Sequence, residues 1–376
     1  MLASERHQLI LSVVREHGAV RLAELVERLG VTAVTVRRDV TELADRGLLT
    51  RVHGGVTLTR PRGGHHEPGR AASAFGPAAH GALVGMVAPS VEYYWPTVVQ
   101  GAQSAVAATG GRLVLRASSY DAAEDRRQIT KLLERGVQTL LVAPATSGRG
   151  ALDLLRWLGS LSVPVVLVER LPPPELPTLA LDAATTAHAL GAGLAVRHLV
   201  SLGHRGVGLV TSRSSPHSPA VRTGWRETIG SLGLDAATAL DLDVPAYGAP
   251  GWTREYDALL DRCLRAGVRA LLVHADREAI GLIERARDGG IAVPGELAVV
   301  SYDDEVAAAS DPPLTAVCPQ KHRLGAVAAE LALARLADTT GRPVHRLQLW
   351  PTLVVRESCG SAPESGSEST GESGPQ

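Results

Sequence analysis

Near the start of the chain the apolar positions recur with a helical period. Leu22, Leu25, Val26 and Leu29 form one stripe, and Val36, Val40 and Leu43 form another. At about 100° per residue each stripe is one face of an amphipathic helix. Gly30 closes the first helix. Thr32 suits the N-cap of the second, where its hydroxyl can accept from a free amide of the first turn. On this second helix Arg38 points away from the apolar stripe with Val34 and Thr41 beside it, while Thr35 and Arg37 lie on the flanks. An earlier stripe of Leu9, Ile10, Val13 and Val14 predicts a helix over about 4–17 that stops at Gly18. The run Leu48–Leu58 is β-prone on both sides of Gly54-Gly55 and predicts a hairpin. Three short helices and a hairpin make a winged helix-turn-helix, a unit that sets one helix in a DNA major groove.

Beyond residue 80 the pattern changes to short apolar runs separated by longer amphipathic segments. The strand-like runs are Leu83–Ala88, Arg112–Ala117, Gln138–Pro144, Val163–Glu169, Val207–Ser212, Ala270–Ala275 and Leu297–Asp303. Strands alternating with helices predict parallel sheets covered on both faces, and their number predicts two lobes. The expected architecture is an N-terminal winged helix-turn-helix plus an α/β two-lobed domain with parallel sheets. Residues 1–58 form the DNA-binding domain, and 59–80, rich in Pro, Gly and small residues, form a linker. Residues 81–357 form the sensor, with one lobe over about 81–171 and 317–340 and the other over about 172–316 and 341–357. The Ser-, Gly- and Glu-rich tail 358–376 is expected to be disordered.

Ligands of parallel α/β sheets bind beyond the carboxyl ends of the strands. That rule selects Tyr93-Tyr94-Trp95, Ser118-Ser119-Tyr120, Glu169-Arg170, Arg222, Asp276 and Tyr302-Asp303-Asp304. The chain has only 5 Trp, 6 Tyr and 1 Phe, and three of these are contiguous at 93–95, so they cannot all face one interior. Aromatic faces with Arg and Asp suit a sugar, whose C–H faces pack on rings and whose hydroxyls take charge-assisted hydrogen bonds. Each of these residues also has a structural reading. Asp303 and Asp276 could cap helices, Arg222 could be a surface charge, and Trp95 could pack in a core.

Composition adds little beyond limits. The 376 residues carry a formal net charge of −1, and residues 1–60 are only mildly basic, so charge alone does not point to nucleic acid. Lysine occurs only at 131 and 321, and the arginine bias lowers the weight of any single arginine. Cys263, Cys318 and Cys359 show no paired spacing and suggest no disulfide or zinc framework. His65-His66 stands without a ligand cluster, so no metal and no cofactor is expected. There is no signal sequence and no apolar run of membrane length; the chain reads as cytoplasmic. The phosphate-loop, dinucleotide and nucleophile-elbow patterns are missing, which argues against an enzyme.

Two resemblances sharpen the reading. From Glu5 to Val56 the chain resembles the DNA-binding domain of the DeoR family, through Ala23-Glu24-Leu25, Leu29-Gly30-Val31, Thr35-Val36-Arg37-Arg38-Asp39 and Arg51-Val52-His53-Gly54-Gly55. This implies that Thr32, Val34, Thr35, Arg37 and Arg38 approach the major groove, where the arginines can read guanine edges or clamp phosphate. It also implies that Arg51 and His53 lie near the backbone or minor groove. Asp39 is expected to pair with a neighbouring arginine.

From about Ala82 to Glu357 the chain resembles the effector-binding domain of the LacI family, which implies a two-lobed sensor of the periplasmic-binding-protein type. The residues that carry this are Pro164–Arg170, His198-Leu199, Leu202–Arg205, Arg222 with Gly224-Trp225, Val293-Pro294, Val299–Asp304, Asp311–Thr315 and Leu324-Gly325. It implies a small molecule between two lobes, with Trp95 or Tyr94 stacking on it, Arg222 and Asp303 bonding it, Asp276 at the cleft, and Ser118, Ser119 and Arg170 nearby. Three departures leave the ligand's identity open: Ala275-Asp276 replaces the usual Asn-Asp pair, Pro319 stands where Gln is common, and Glu92–Pro96 replaces an Asn-Pro-Phe-Phe stretch. The linker lacks the LacI hinge-helix motif, which implies DNA binding without its insertion. The expected partners are a double-stranded operator, a sugar-like effector and a second copy of the chain. The function implied is a repressor of carbohydrate-metabolism genes, the alternatives being a nucleoside effector or a local activator.

Overall fold

A computed structural model describes residues 6, 7, 9, 10, 13, 14, 19–45, 49–52, 55–58, 79–90, 92–234, 239–338 and 341–360. The chain divides into two compact units, Met1–Glu67 and Pro68–Gln376.

In the first unit, β1 (Ala19–Arg21) precedes α1 (Leu22–Leu29) and α2 (Ala33–Asp45), followed by β2 (Leu49–Val52) and β3 (Gly55–Leu58). The described residues among 6–14 are helical. Both predicted stripes point inwards: Ile10, Val14, Leu25, Val36, Val40 and Leu43 pack with Val20 and Val56 in one small core. Leu9 does not belong to it and is 40% exposed. The hairpin forms with Arg51 opposite Val56 and Val52 opposite Gly55. A third strand, β1, joins its other edge with Val20 opposite Val56. Gly30 takes φ +63, a left-handed value that lets the chain turn tightly between the two helices. Asp39 is the expected ion-pair partner, but of a distant residue. Arg6 Nε lies 2.7 Å from one of its oxygens and His7 Nε2 3.3 Å from the other. The first helix is thereby tied to α2, and the Arg6 hydrogen bonds hold the Asp39 carboxyl below the usual range.

The second unit begins with β4 (Leu83–Ala88), α3 (Trp95–Ala108), β5 (Arg112–Ala117), α4 (Ala122–Glu134), β6 (Thr139–Val142), α5 (Ala151–Gly159), β7 (Val165–Val168) and β8 (Asp182–Thr186). It continues with α6 (His188–Ser201), β9 (Gly208–Ser212), α7 (Ser218–Ser231), β10 (Asp241–Val244), α8 (Trp252–Arg265), β11 (Ala270–His274), α9 (Asp276–Asp288), β12 (Ala298–Tyr302) and β13 (Thr315–Cys318). It ends with α10 (Lys321–Ala337), β14 (Arg346–Leu349) and β15 (Thr352–Val354). The strands make two six-stranded sheets, ordered β14-β8-β7-β6-β4-β5 and β10-β9-β11-β12-β13-β15, each the spine of one lobe. All pairings are parallel except β13 with β15. Central strands such as β6 and β7 are buried throughout, as sheets covered on both faces require.

Two boundaries differ from the sequence reading. Asp182–Thr186 and Arg346–Leu349, expected in the second lobe, both belong to the first lobe's sheet. Asp182 is buried at 2% and fixed by Arg335 at 2.7 Å and by the His345 amide at 2.7 Å, so a polar sequence is satisfied inside a sheet. Nor does the fold end at 357. Ser358 is fully buried, and its hydroxyl donates to Val299 O at 2.6 Å and accepts from Thr315 N at 2.9 Å. Most of the expected linker and the tail from 361 lie outside the described residues.

Helices α3 and α10 cross closely in the first lobe. A Cβ on Gly101 would overlap the His322 carbonyl, and one on Gly325 would overlap the Val98 carbonyl. The chain crosses between the lobes at Ala187, at Pro319-Gln320 and at Trp350-Pro351, and Gln320 Nε2 donates to Trp350 O at 2.8 Å. Among the described residues no helix is long and apolar enough to cross a membrane.

Asp39→Ala removes the charged hydrogen bonds that Arg6 and His7 make to this carboxylate. We expect a loss of about 2 kcal/mol in the unfolding free energy of the first unit, measured by urea denaturation, with the second unit's transition unmoved.

Candidate functional site

The predicted groove-reading surface is built on α2. Thr32 caps the helix as expected, accepting from Thr35 N at 3.3 Å and lying 2.9 Å from Thr35 Oγ1. Arg38 is exposed, opposite the buried Val36 and Val40. Val34 and Arg37 lie on the same helix, and Arg51 lies in β2. His53 falls outside the described residues.

In the second unit the carboxyl ends of strands from both lobes face one cleft. A cavity of about 320 Å³ is lined from the first lobe by Tyr93, Tyr94, Trp95 and Tyr120, and from the second by residues that include Ser212, Ser214, His217, Tyr247, His274, Arg277 and Asp303. A second cavity of about 440 Å³ shares Pro216 and His217 with it and is lined by Glu169, Arg170, Thr186, His188 and the crossover residues Ala187 and Trp350. Tyr120 and Tyr247 are 43% and 39% exposed, so their rings are available to a ligand. Tyr93 is half-buried, with Arg277 4.8 Å over its ring.

The candidate residues fall into two groups. Tyr94, Trp95 and Asp303 line the first cavity and Arg170 lines the second. Trp95 is only 3% exposed and packs in the first lobe's core, so Tyr93, Tyr120 and Tyr247 are better placed to stack. Asp303 holds φ +96 at the end of β12, with its carbonyl oxygen bonded by Lys321 Nζ. Burial, then the nearby Asp276, pushes its carboxyl well above the usual range. The shift favours the protonated form, in which the carboxyl both donates and accepts.

The other candidates are occupied by the fold. Arg222 donates to Asp241 at 2.7 Å, Asp243 at 2.7 Å and Thr211 at 2.9 Å; it lines neither cavity. Its neighbour Val221 is the fully buried residue of that turn, and one step of 100° sends Arg222 to the outer face of α7. Asp276 is fully buried and bonds Ser301 Oγ at 2.7 Å, Glu305 N at 2.7 Å and Val306 N at 3.1 Å, so it ties the loop after β12 to α9. Ser118 donates to Asp125 at 2.5 Å and pins the start of α4. Ser119 is exposed and lines neither cavity.

Sequence reasoning missed a cluster of histidines around Glu169. The Glu169 carboxylate accepts from the Tyr94 hydroxyl, from Thr186 N at 3.0 Å and from Thr186 Oγ1 at 2.5 Å, and lies 3.2 Å from His188 Nε2. Burial opposes its charge, but His188 and the Thr186 hydrogen bonds outweigh it, so the carboxyl lies far below the usual range. His217 lies with its ring centroid 4.2 Å from that of His188, and burial keeps it neutral, well below the ordinary histidine range. His274 is likewise pushed down to about 3, by burial and then by His188. The strand-end rule could have found His274, the last residue of β11.

Comparison with known proteins follows the same division. Residues 6–62 match the DeoR-like helix-turn-helix domain, and residues 196–359 match the periplasmic binding protein-like domain. The transcriptional regulator MalR of Streptomyces coelicolor is 29% identical over 352 residues, covering 91% of this chain and 97% of the relative. The arabinose metabolism transcriptional repressor of Geobacillus stearothermophilus is 24% identical, covering 89% of each chain. Among solved structures, a LacI family transcriptional regulator from Enterococcus faecium with bound ribose superposes with a TM-score of 0.60 at 20% identity, covering 74% of this chain and 98% of that one.

Arg222→Ala should lower stability by about 1–2 kcal/mol through its lost charged hydrogen bonds, with no change in ligand affinity by calorimetry; a drop in affinity alone would return Arg222 to the site. The histidines set a pH dependence. His274 has a folded pKa of about 3 against 6.5 for the ordinary group, so between those values the unfolded chain binds a proton that the folded chain does not, and stability falls as pH falls. From pH 7 to 5 this one group removes roughly 2 kcal/mol. The melting temperature should fall over that range, and less steeply in His274→Asn.

Proposed function

Because the chain carries a DeoR-like helix-turn-helix domain and a periplasmic binding protein-like domain, we propose that it is a sequence-specific transcriptional regulator, a repressor of carbohydrate-metabolism genes controlled by a small sugar-like effector. The observation that carries the effector class is the cleft lining. Exposed tyrosine rings face it from both lobes, and beside them stand serine hydroxyls, imidazoles and Asp303, whose burial favours the neutral acid. Rings pack on the C–H faces of a sugar, while the hydroxyls and imidazoles, with Arg277 and Glu278 in the same wall, suit its hydroxyls. The cavity lies at the lower end of the range of about 300–1,000 Å³ used for small ligands. The relatives named for arabinose metabolism and found with ribose support the same class.

In this reading residues 1–58 read DNA and 59–80 are a linker, joined to a sensor from 81 onwards. Thr32, Val34, Thr35, Arg37 and Arg38 approach the major groove, with Arg51 and His53 near the backbone. Tyr94, Trp95, Arg170 and Asp303 serve the effector. Two copies associate in the cytoplasm and present two α2 helices to half-sites one helical turn, or a multiple of it, apart. The effector closes the cleft, and it can change DNA affinity only by binding one lobe arrangement better than the other. The protein acts by binding and not as an enzyme.

The test is a thermal-shift screen against a panel of sugars and nucleosides, followed by fluorescence anisotropy on operator DNA. A ligand of the folded state raises the melting temperature by mass action. Arg38→Ala should abolish specific DNA binding and leave the sugar shift intact. Asp303→Ala should lose the sugar shift while binding DNA normally, and Asp303→Asn, which keeps a polar group of the same shape, should retain more of it. A normal effector response in Asp303→Ala would sink the pocket assignment, and hits from nucleosides alone would change the effector class.

A further inference from the structure

We propose that Glu169, His188 and His217 form a site for one zinc-like divalent ion that joins the two lobes of the sensor. The ligands come from both sides of the cleft. Glu169 follows β7 in the first lobe, His188 opens α6 in the second, and His217 precedes α7. One ligand atom from each lies within 4.8 Å of the others. Tetrahedral zinc with bonds of about 2.0–2.2 Å holds neighbouring ligand atoms about 3.3 Å apart, and Glu169 Oε2 is already 3.2 Å from His188 Nε2. Two imidazoles and one carboxylate are a borderline-soft donor set. They suit zinc, whereas calcium and magnesium take oxygen ligands.

The supports a metal site needs are also in place. Ligating imidazoles are oriented through their other ring nitrogen, and His188 Nδ1 lies 3.2 Å from the Tyr302 hydroxyl. Glu169 Oε1 is engaged by Tyr94 and Thr186 Oγ1, while Oε2 accepts from Thr186 N at 3.0 Å and faces His188 Nε2 with its other lone pair. His217 lines both cavities, so a three-ligand ion there has its fourth position open to the cleft, for water or for an oxygen of the effector. One contact competes. Arg170 Nη1 lies 3.3 Å from His217 Nε2, and that nitrogen must be released if it is the ligating one. The guanidinium keeps its bonds to Pro144 O and Glu169 O.

The experiment uses the full-length protein, stripped with a chelator and titrated with zinc chloride by calorimetry and with cobalt(II) by absorption. We expect one ion per chain, a higher melting temperature, and the intense visible bands of four-coordinate cobalt. His217→Ala and Glu169→Gln should each weaken zinc binding at least about tenfold, while the double substitution His65→Ala, His66→Ala leaves it unchanged. Should Glu169→Gln not fold, as judged by circular dichroism, His217→Ala carries the test, since the ring it removes is held by a single long contact to Arg170, 3.3 Å. Three results would overturn the proposal: no saturable zinc binding, binding unaltered by His217→Ala, or binding lost with His65 and His66. In the first case the cluster is a hydrogen-bonded network only.

Discussion

A carboxylate without water must be answered by donors from every side, and Glu169 is 3% exposed and ionised. Burying such a charge costs several kcal/mol unless it is paired and hydrogen-bonded. The partners that answer it come from separate parts of the chain. Tyr94 stands just before α3, Thr186 ends β8, and His188 opens α6 beyond the first crossover. The need to satisfy one charge therefore fixes where three segments meet. It also orients the ring of Tyr94 towards the cleft and places His188 against Tyr302 and His217. The cleft wall is shaped by this requirement before any ligand is considered.

The first unit uses the same device on a smaller scale. Asp39 is buried among apolar neighbours of α2 and is answered by Arg6 and His7. In both units the apolar core provides the bulk of the burial while one carboxylate selects the arrangement. Arg38 on α2 and Tyr93, Tyr120 and Tyr247 of the cleft stand outside both networks.

Much of this was legible in the sequence. Central parallel strands are apolar runs, so β4, β6, β7, β11 and β12 were readable, and the stripes of α1 and α2 identified their buried faces. Strands β8 and β14 were not readable. The first is buried but spelled Asp-Ala-Ala-Thr-Thr, because its polar groups are satisfied by Arg335 and Glu169. The second is an edge strand, largely exposed. The site was half legible. Strand ends located the cleft, but the rotation of a helix about its axis decided between Val221 and Arg222, and no local pattern records that rotation. The histidines escaped because 188, 217 and 274 meet only in the folded chain.

The three crossings at Ala187, Pro319-Gln320 and Trp350-Pro351 give the sensor a kinematic property. Three strands of backbone, two of them laced by Gln320, leave the lobes little freedom except to swing about one axis. In the proposed function, any occupant of the cleft acts through that one movement. Side chains at the strand ends can be exchanged to suit a new ligand without redesigning the motion that reports it. Chemistry and mechanics are separable in such a molecule, and a regulator of this architecture can change what it senses while keeping how it answers.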